Sequence, residues 1–193
     1  MKLLLILIPF YLFALQNDFL EVKEEPKQIK IKKQVKKFKN AKLEFLYKFR
    51  IKARVVSAKK YNFDSVANII THDFGVVWGK ISKSSVFNKV NWKNEDRLLK
   101  FSYTKQLIDS LGEKYMLDHI SNIHLIPKNK AIERKLDKIK KGDIVVISGY
   151  LVNVNYDFKR DSYQSIKTSI TRTDRGIGAC EVIFVLDIKK LYD

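Results

Sequence analysis

A long stretch of alternating side chains limits the fold more than any other feature of this sequence. From residue 43 to residue 55 (LEFLYKFRIKARV) every odd position is apolar, and the even positions include Lys48, Arg50, Lys52 and Arg54. A period of two residues predicts a β-strand with one face in a core and a row of cations on the other. That row has two explanations: an ordinary solvated face, or a surface that follows a polyanion, as in OB-type barrels.

Segments nearer the C-terminus also favour strands. DIVVISGYLVNVNY, SYQSIKTSITR and CEVIFVLDI are rich in β-branched residues, and Gly149 inside the first of them indicates a bulge or bend. Short helices are predicted for residues 103–120, broken near Gly112, and for residues 130–141 before Gly142. This order predicts a mainly β or α+β fold: a small curved antiparallel sheet or barrel with two short helices.

The charge of the chain suggests a class of partner. Its 193 residues contain 38 Lys and Arg against 21 Asp and Glu, a formal net charge of +17. Such an excess favours an anionic polymer, an anionic membrane surface or an acidic envelope protein as partner, although Lys can also serve solubility alone. Nucleic acid is disfavoured, because no binding motif is recognised and export is expected.

The N-terminus predicts that export. Residues 3–15 are thirteen consecutive apolar residues after a single Lys, fewer than the roughly 20 that span a bilayer. Residues 1–15 are therefore expected to be a signal peptide cut near Ala14, or an uncleaved N-terminal anchor that tethers a periplasmic protein to the inner membrane. Residues 16–41 are expected to be a Lys-rich solvated linker, helical in its second half, and residues 42–193 a single β-rich globular domain.

Unusual residues are concentrated in TSITRTDRGIGACE, residues 168–181. The chain has seven glycines and one cysteine, yet Gly176, Gly178 and Cys180 lie within five consecutive residues. Because this segment joins two predicted strands and is too long for a two-residue hairpin, we expect its glycines to adopt positive φ angles in an ordered turn. A second interpretation is an anion site, in which turn amides, Arg172 and nearby hydroxyl groups approach a carboxylate or phosphate.

The single cysteine could carry chemistry. Cys180 cannot form an intramolecular disulfide, so it is expected to be buried, reactive or paired with another molecule. It could act as a nucleophile if the fold brings His124 or His119 against it as a base. The sequence contains no HExxH motif, no paired CxxC and no acidic cluster at metal-ligand spacing, so neither a metal site nor a cofactor is predicted.

Several short elements, spread over roughly residues 45–188, form a pattern. Its positions are Asp73, Trp78, Gly79, Asn122, His124, Ile126, Pro127, Gly142, Asp143, residues 149–152, Ser169, Arg172, Asp174, Gly176, Gly178, Ala179, Cys180 and Glu181. This pattern resembles that of a family of small exported bacterial proteins. The chain departs from the family pattern at Lys167 and Thr168, where a Trp and a Ser are expected nearby. The resemblance implies a single exported domain and no particular activity.

Two functions follow as hypotheses. The leading one is a non-enzymatic envelope protein that binds an anionic partner or an assembly of other proteins. The alternative is an exported hydrolase that uses His124 with Cys180 or Glu181. Both depend on one shared site, although the same residues could instead form a buried polar network that locks the loops together. The candidate site residues are His124, Cys180 and Glu181 as catalytic groups, and Arg172, Asp174, Ser169 and His119 as ligand-binding groups.

Overall fold

Strands dominate the computed structural model, which describes residues 20–156, 165–171, 173–176 and 178–192. About half of the chain, 52%, is strand, so the prediction of a mainly β fold is confirmed. The strands are β1 (Lys27–Phe38), β2 (Ala41–Lys60), β3 (His72–Val77), β4 (Asn91–Glu95), β5 (Leu98–Ser102), β6 (Ile120–Pro127), β7 (Ile144–Tyr156), β8 (Ser165–Ile166) and β9 (Glu181–Leu191).

Four short helices connect these strands, where two were expected. They are α1 (Ser84–Phe87), α2 (Lys105–Leu111), α3 (Glu113–Asp118) and α4 (Lys130–Leu136). Gly112 separates α2 from α3, so the helix predicted for residues 103–120 is broken where the sequence indicated. The Asn129 side chain caps α4 by accepting a hydrogen bond from the main-chain N–H of Ile132 at 3.0 Å. No helix among the described residues is long and apolar enough to cross a membrane.

Seven strands form one curved, mixed sheet, in the order β1-β2-β3-β6-β9-β7-β8. It is not purely antiparallel as predicted, because β6 and β9 run parallel. Its curvature is strong enough for β2 to pair with β7 as well as with β3. Of the two predicted forms, the curved sheet is confirmed, and the barrel is not, because the sheet is not closed. β3 pairs only with residues 54–60 of β2, and β1 occupies the same edge along residues 41–50.

The Lys-rich segment expected to be a linker forms a strand instead. Lys27–Phe38 pairs antiparallel with β2, from Lys27 opposite Arg50 to Phe38 opposite Ala41. Nearly all of its side chains are exposed, and only Ile31 and Phe38 pack against the core. The exposed side chains of this segment do not favour a strand by themselves. Main-chain pairing with the long neighbouring strand β2 therefore decides its conformation. Its lysines also protect an exposed sheet edge from pairing with other chains.

A register shift in β2 divides the core. The alternation predicts that all the odd residues face one side, but Leu43 and Phe45 lie in one apolar cluster and Phe49 and Ile51 in another. The pairing between β2 and β7 shifts between Phe45 and Tyr47, and a bulge of this kind reverses the side on which the following residues point. The larger cluster, which we call the main core, also contains Phe74, Val76, Ile123, Leu125 and Ile183.

The predicted row of cations on β2 is shorter in the structure. Lys48 and Arg50 are exposed and Lys52 is half-buried, whereas Arg54 is buried and donates to two main-chain carbonyl groups. Arg50 and Lys52 share the carboxylate of Glu24, at 3.1 and 3.3 Å. Two of the four cations therefore share a counter-ion within the protein, and Lys48 and Arg50 are the two that stay exposed.

Candidate functional site

The polar face of β3 and β6 holds the candidate site. In the antiparallel register Asp73 lies opposite His124, and Gly75 lies opposite Asn122. These residues alternate with side chains of the main core, so all of them lie on the other face of the sheet. A Cβ atom at Gly75 would be 2.6 Å from a methyl carbon of Leu99, so the glycine allows the β4–β5 hairpin to cover this face closely.

Asp73, His124 and Cys180 form a connected set of side chains. Asp73 Oδ1 lies 2.8 Å from His124 Nδ1, and the Asp73 side chain is fully buried. The His124 side chain is 12% exposed, and it lies close enough to the thiol of Cys180 for the two groups to interact. Because Asp73 occupies Nδ1, the second ring nitrogen, Nε2, is the one left for the thiol.

The charge of His124 follows from these neighbours. Burial alone would lower its pKa, but the hydrogen bond to Asp73, the interaction with the Cys180 side chain and the nearby carboxylate charge favour the protonated ring and raise the pKa to about 9. An unperturbed histidine has a pKa of about 6.5. His124 is therefore a cation at neutral pH, held between a carboxylate and a thiol.

Arg97 holds the buried carboxylate from the tip of the hairpin. Its Nη1 lies 3.3 Å from Asp73 Oδ1, and its guanidinium makes two hydrogen bonds to Asp64, at 2.8 and 2.9 Å. The guanidinium also lies over the ring of Tyr61, 4.1 Å from its centroid. Asp96 and Arg97 both have positive φ, 49° and 62°, as a two-residue type I′ turn requires. Two non-glycine residues in this conformation indicate that the position of Arg97 is strongly constrained.

Asn122 connects the hairpin to the thiol. Its amide Nδ2 donates to the main-chain oxygen of Arg97 at 2.8 Å and lies 3.5 Å from the sulfur of Cys180. An amide N–H beside the sulfur is close to where negative charge would develop on a carbonyl oxygen attacked by that sulfur. Its position on β6, two residues before His124, therefore suits an oxyanion donor.

Asn122 and half-buried Cys180 line a cleft of about 500 Å³, whereas Asp73 and His124 do not line it. The cleft lies between β5, the segment from the end of α3 to the start of β6, and the loop before β9. Its polar lining includes Asn122, Ser121 and Asp174. The apolar side chains of its wall are Trp78, Leu98, Leu99, Phe101, Leu117 and Ile120.

The loop before β9 has the turn that its glycines predict. Gly176 and Gly178 have φ angles of 78° and 96°, which confirms the expected left-handed conformation. The Ser169 main-chain N–H donates to the Cys180 oxygen at 2.9 Å, and its hydroxyl group donates to the oxygen of Thr171 at 3.0 Å. Ser169 is buried, so it organises the loop that presents the thiol, and its hydroxyl group is used there rather than offered to a ligand.

Glu181, Arg172 and Asp174 are three of the remaining candidate residues. Glu181 is buried, accepts a hydrogen bond from Ser121 and lines the same cleft as Cys180, but the carboxylate that contacts His124 is Asp73. Arg172 lies outside the described residues. Asp174 is half-buried on the wall of the cleft, where a ligand could reach it.

His119 does not join His124. Its ring stacks on Tyr115, with centroids 3.9 Å apart, and its Nε2 lies 3.2 Å from a carboxylate oxygen of Glu25. Glu25 also accepts a hydrogen bond from Trp78 Nε1 at 2.7 Å. Five residues of extended chain separate the two histidines by roughly 16 Å. His119 therefore belongs to a separate cluster and is not placed to act as the base for Cys180.

Sequence reasoning did not single out three of these residues for a role. Asp73 and Asn122 entered only as positions of the resemblance, and Arg97 did not enter at all. The signal for Arg97 is the two-residue polar step, Asp96 and Arg97, between NWKNE and LLKFS, which is typical of a tight hairpin. A hairpin tip predicts exposure, however, and only the tertiary fold shows that this one folds back onto the sheet.

The described residues include no group of three or more His, Cys, Asp or Glu that could hold a metal ion. No protein-family model, curated protein or solved structure matches the chain.

Proposed function

We propose that the protein is a thiol-dependent hydrolase of acyl compounds, such as esters, thioesters or amides. Cys180 is the nucleophile, His124 the acid and base, and Asp73 the residue that orients His124. The observation that carries this proposal is the arrangement of three side chains: Asp73 is hydrogen-bonded to His124, and His124 lies beside a thiol on the wall of an open cleft. A nucleophile, a base and a group that orients the base are the parts that nucleophilic catalysis requires.

The first half of the reaction transfers the acyl group to Cys180. The thiolate attacks the carbonyl carbon, a C–S bond forms, and an electron pair moves onto the carbonyl oxygen. When this intermediate collapses, the bond to the leaving alcohol, thiol or amine breaks, and protonated His124 donates its proton to that group. The amide of Asn122 is placed to stabilise the oxygen during this step.

The second half releases the acid. Neutral His124 accepts a proton from a water molecule as the water oxygen attacks the thioester carbon. The C–S bond then breaks, the carboxylic acid leaves, and the thiolate and the protonated imidazole are restored. Asp73 stabilises the charged ring and fixes its orientation throughout, and Arg97 and Asp64 hold Asp73 in place.

A non-enzymatic module for an anionic partner is the second candidate. The exposed lysines of β1 and the neighbouring Lys48 and Arg50 of β2 favour it, because they place an excess of cations on one region of the sheet. Export to the periplasm, with or without an N-terminal tether, remains a proposal for either function, and the apolar residues 3–15 support it.

Alkylation of the single cysteine tests the proposed hydrolase. Because the chain contains one Cys, the intact mass of the full-length protein after treatment with iodoacetamide reports on Cys180 alone. At pH 6.5 we expect Cys180 to react at least tenfold faster in the wild type than in the His124→Gln variant, because the charged ring supports the thiolate. The Asp73→Asn variant should also react more slowly. His119→Gln is the matched control and should react like the wild type.

Acylation provides the second measurement. Treatment with p-nitrophenyl acetate should attach one acetyl group to Cys180, and the wild-type protein should then lose it by hydrolysis. The Cys180→Ser variant should show neither reaction. Equal alkylation rates in the wild type and His124→Gln, together with no acetylation, would contradict the proposal. Asp73, His124 and Cys180 would then serve only to hold the surrounding segments together.

A further inference from the structure

One edge of β5 has main-chain groups available for a partner. Among the described residues β5 pairs only with β4. The two-residue turn makes Glu95 and Leu98 a hydrogen-bonded pair, and such pairs alternate along an antiparallel ladder. Leu99 and Phe101 therefore direct their N–H and C=O groups to the opposite edge of the strand.

That edge faces the cleft beside the thiol. Four consecutive residues, Leu98 to Phe101, line the cleft. Successive side chains of a strand point to opposite faces, so a cleft that contacts all four runs along the edge of the strand and not over one face. The same cleft is lined by Cys180.

We propose that the cleft binds an extended peptide, which adds to the free edge of β5 as a further strand and presents a carbonyl group to Cys180. This inference rests on the proposed hydrolase and names its substrate class: peptides, or peptide-like acyl compounds, with an apolar residue on the acyl side. A peptide backbone offers donors and acceptors at the spacing of the strand, as in other proteins that bind peptides at a sheet edge.

The chemistry of the cleft favours a peptide over a simple hydrocarbon chain. An alkyl chain along β5 would cover the N–H and C=O groups of Leu99 and Phe101 without bonding them, which is unfavourable for buried main-chain groups. A peptide strand would bond them. The apolar side chains of Leu117, Ile120 and Trp78 would then surround the side chain next to the carbonyl group that is attacked.

Activated esters of short peptides test the inference with full-length protein. The probe is N-acetyl-leucyl-leucine p-nitrophenyl ester, and kcat/KM is measured from nitrophenol release after subtraction of the rate with Cys180→Ser. Two further probes each carry one N-methyl group, on the first or the second backbone amide. Octanoyl p-nitrophenyl ester is the hydrocarbon control.

We expect the two successive backbone amides of the probe to differ, because only every second amide of an extended peptide faces the neighbouring strand. Methylation of the amide that faces β5 should lower kcat/KM about tenfold, the effect of losing one main-chain hydrogen bond. Methylation of the other amide, which faces away from β5, should change it less than twofold, and the octanoyl ester should react at least tenfold more slowly than the parent peptide ester.

Two other outcomes separate this inference from the function on which it rests. If the octanoyl ester reacts as fast as the peptide ester and neither methyl group matters, Cys180 is a nucleophile but the substrate is not a peptide strand. If no ester acylates Cys180 in the wild type, the proposed hydrolase and the peptide inference are both wrong.

Discussion

The charged residues of the candidate site form a series in which positive and negative side chains alternate. Asp64, Arg97, Asp73 and His124 follow one another in contact, and each charge lies beside one of opposite sign. Asp73 is completely buried, so its charge is compensated only by protein groups. Removing Asp73 leaves the nearly buried His124 ring without its carboxylate, which costs more than an exposed ion pair contributes.

The charge of His124 makes the stability of the protein depend on pH. The pKa of His124 is raised to about 9 in the folded protein and is about 6.5 in the unfolded chain. Its contribution is therefore fully present below pH 6.5 and is lost as the pH rises through 9. We expect the difference in unfolding free energy between the wild type and His124→Gln to fall by about 3 kcal/mol between pH 6 and pH 10. Urea unfolding at several pH values measures it.

His72 provides a control, because its pKa is shifted in the direction opposite to that of His124. Burial lowers its pKa, against the raising effect of its hydrogen bond to Asp137, so its stability contribution is lost as the pH falls below the unfolded value. His72→Gln should therefore flatten the acid side of the stability profile and leave the decline toward pH 9 unchanged. A decline that persists in His124→Gln would mean that another group carries it.

The β4–β5 hairpin is the element that assembles the site. Its tip brings Arg97 to Asp64 and Asp73, the main-chain oxygen of Arg97 accepts a hydrogen bond from Asn122, and its second strand forms a wall of the cleft. A hairpin of two strands is marginally stable by itself in water, so its position depends on these contacts and on the apolar cluster beneath it.

Arg97→Lys tests the hairpin as an organiser. Lysine keeps the positive charge but loses the planar pair of hydrogen bonds to Asp64 and the stacking on Tyr61. We expect unfolding free energy to fall by about 1–3 kcal/mol, because buried hydrogen bonds to charged groups are lost. Alkylation of Cys180 should also become slower, since Asp73 is held less firmly.

The matched control is Arg134→Lys on α4, where the side chain is exposed. Its unfolding free energy should stay within about 0.5 kcal/mol of the wild type, as is usual for exposed surface positions. If Arg97→Lys behaves like Arg134→Lys in both unfolding and alkylation, the guanidinium contacts do not organise the site.

Predictability from sequence also varies by element. The long strand β2, the bulge at Gly149 and the turn at Gly176 and Gly178 follow from local patterns, and the structure contains all of them. The strand β1 was missed, because its side chains are nearly all exposed and its conformation comes from pairing with β2. Local sequence carries no information about that partner.

The candidate site could also be predicted only in part, because some of its contacts depend on distant parts of the sequence. His124 and Cys180 could be selected from residue type alone, and the structure brings them together. Asp73 lies 51 residues from His124 in sequence, and their contact comes from the pairing of β3 with β6. No spacing rule along one chain indicates such a pair, since the parts of a catalytic site need to meet only in space.

Net charge is a property of the whole molecule, and its distribution bears on the second candidate function. Lys27 lies directly opposite Arg50 on the paired strands β1 and β2, and Lys48 is the next residue of the same face. Directly opposed cations destabilise a strand pair slightly, so an anion between them would be favourable. Glu24 fills part of this role for Arg50.

A salt titration tests whether this face binds a polyanion. With fluorescent inorganic polyphosphate as probe, the logarithm of the affinity should fall linearly with the logarithm of salt concentration, as counterions are released. The triple variant Lys27→Gln, Lys48→Gln and Arg50→Gln should bind more weakly and show a shallower slope. Three exposed cations outside the sheet give the control with the same change of charge: Arg134→Gln, Lys138→Gln and Lys141→Gln. Equal salt-dependence slopes for the two variants would mean that the net charge of +17 attracts the polyanion from all sides of the molecule. The face formed by Lys27, Lys48 and Arg50 would then have no specific part in binding.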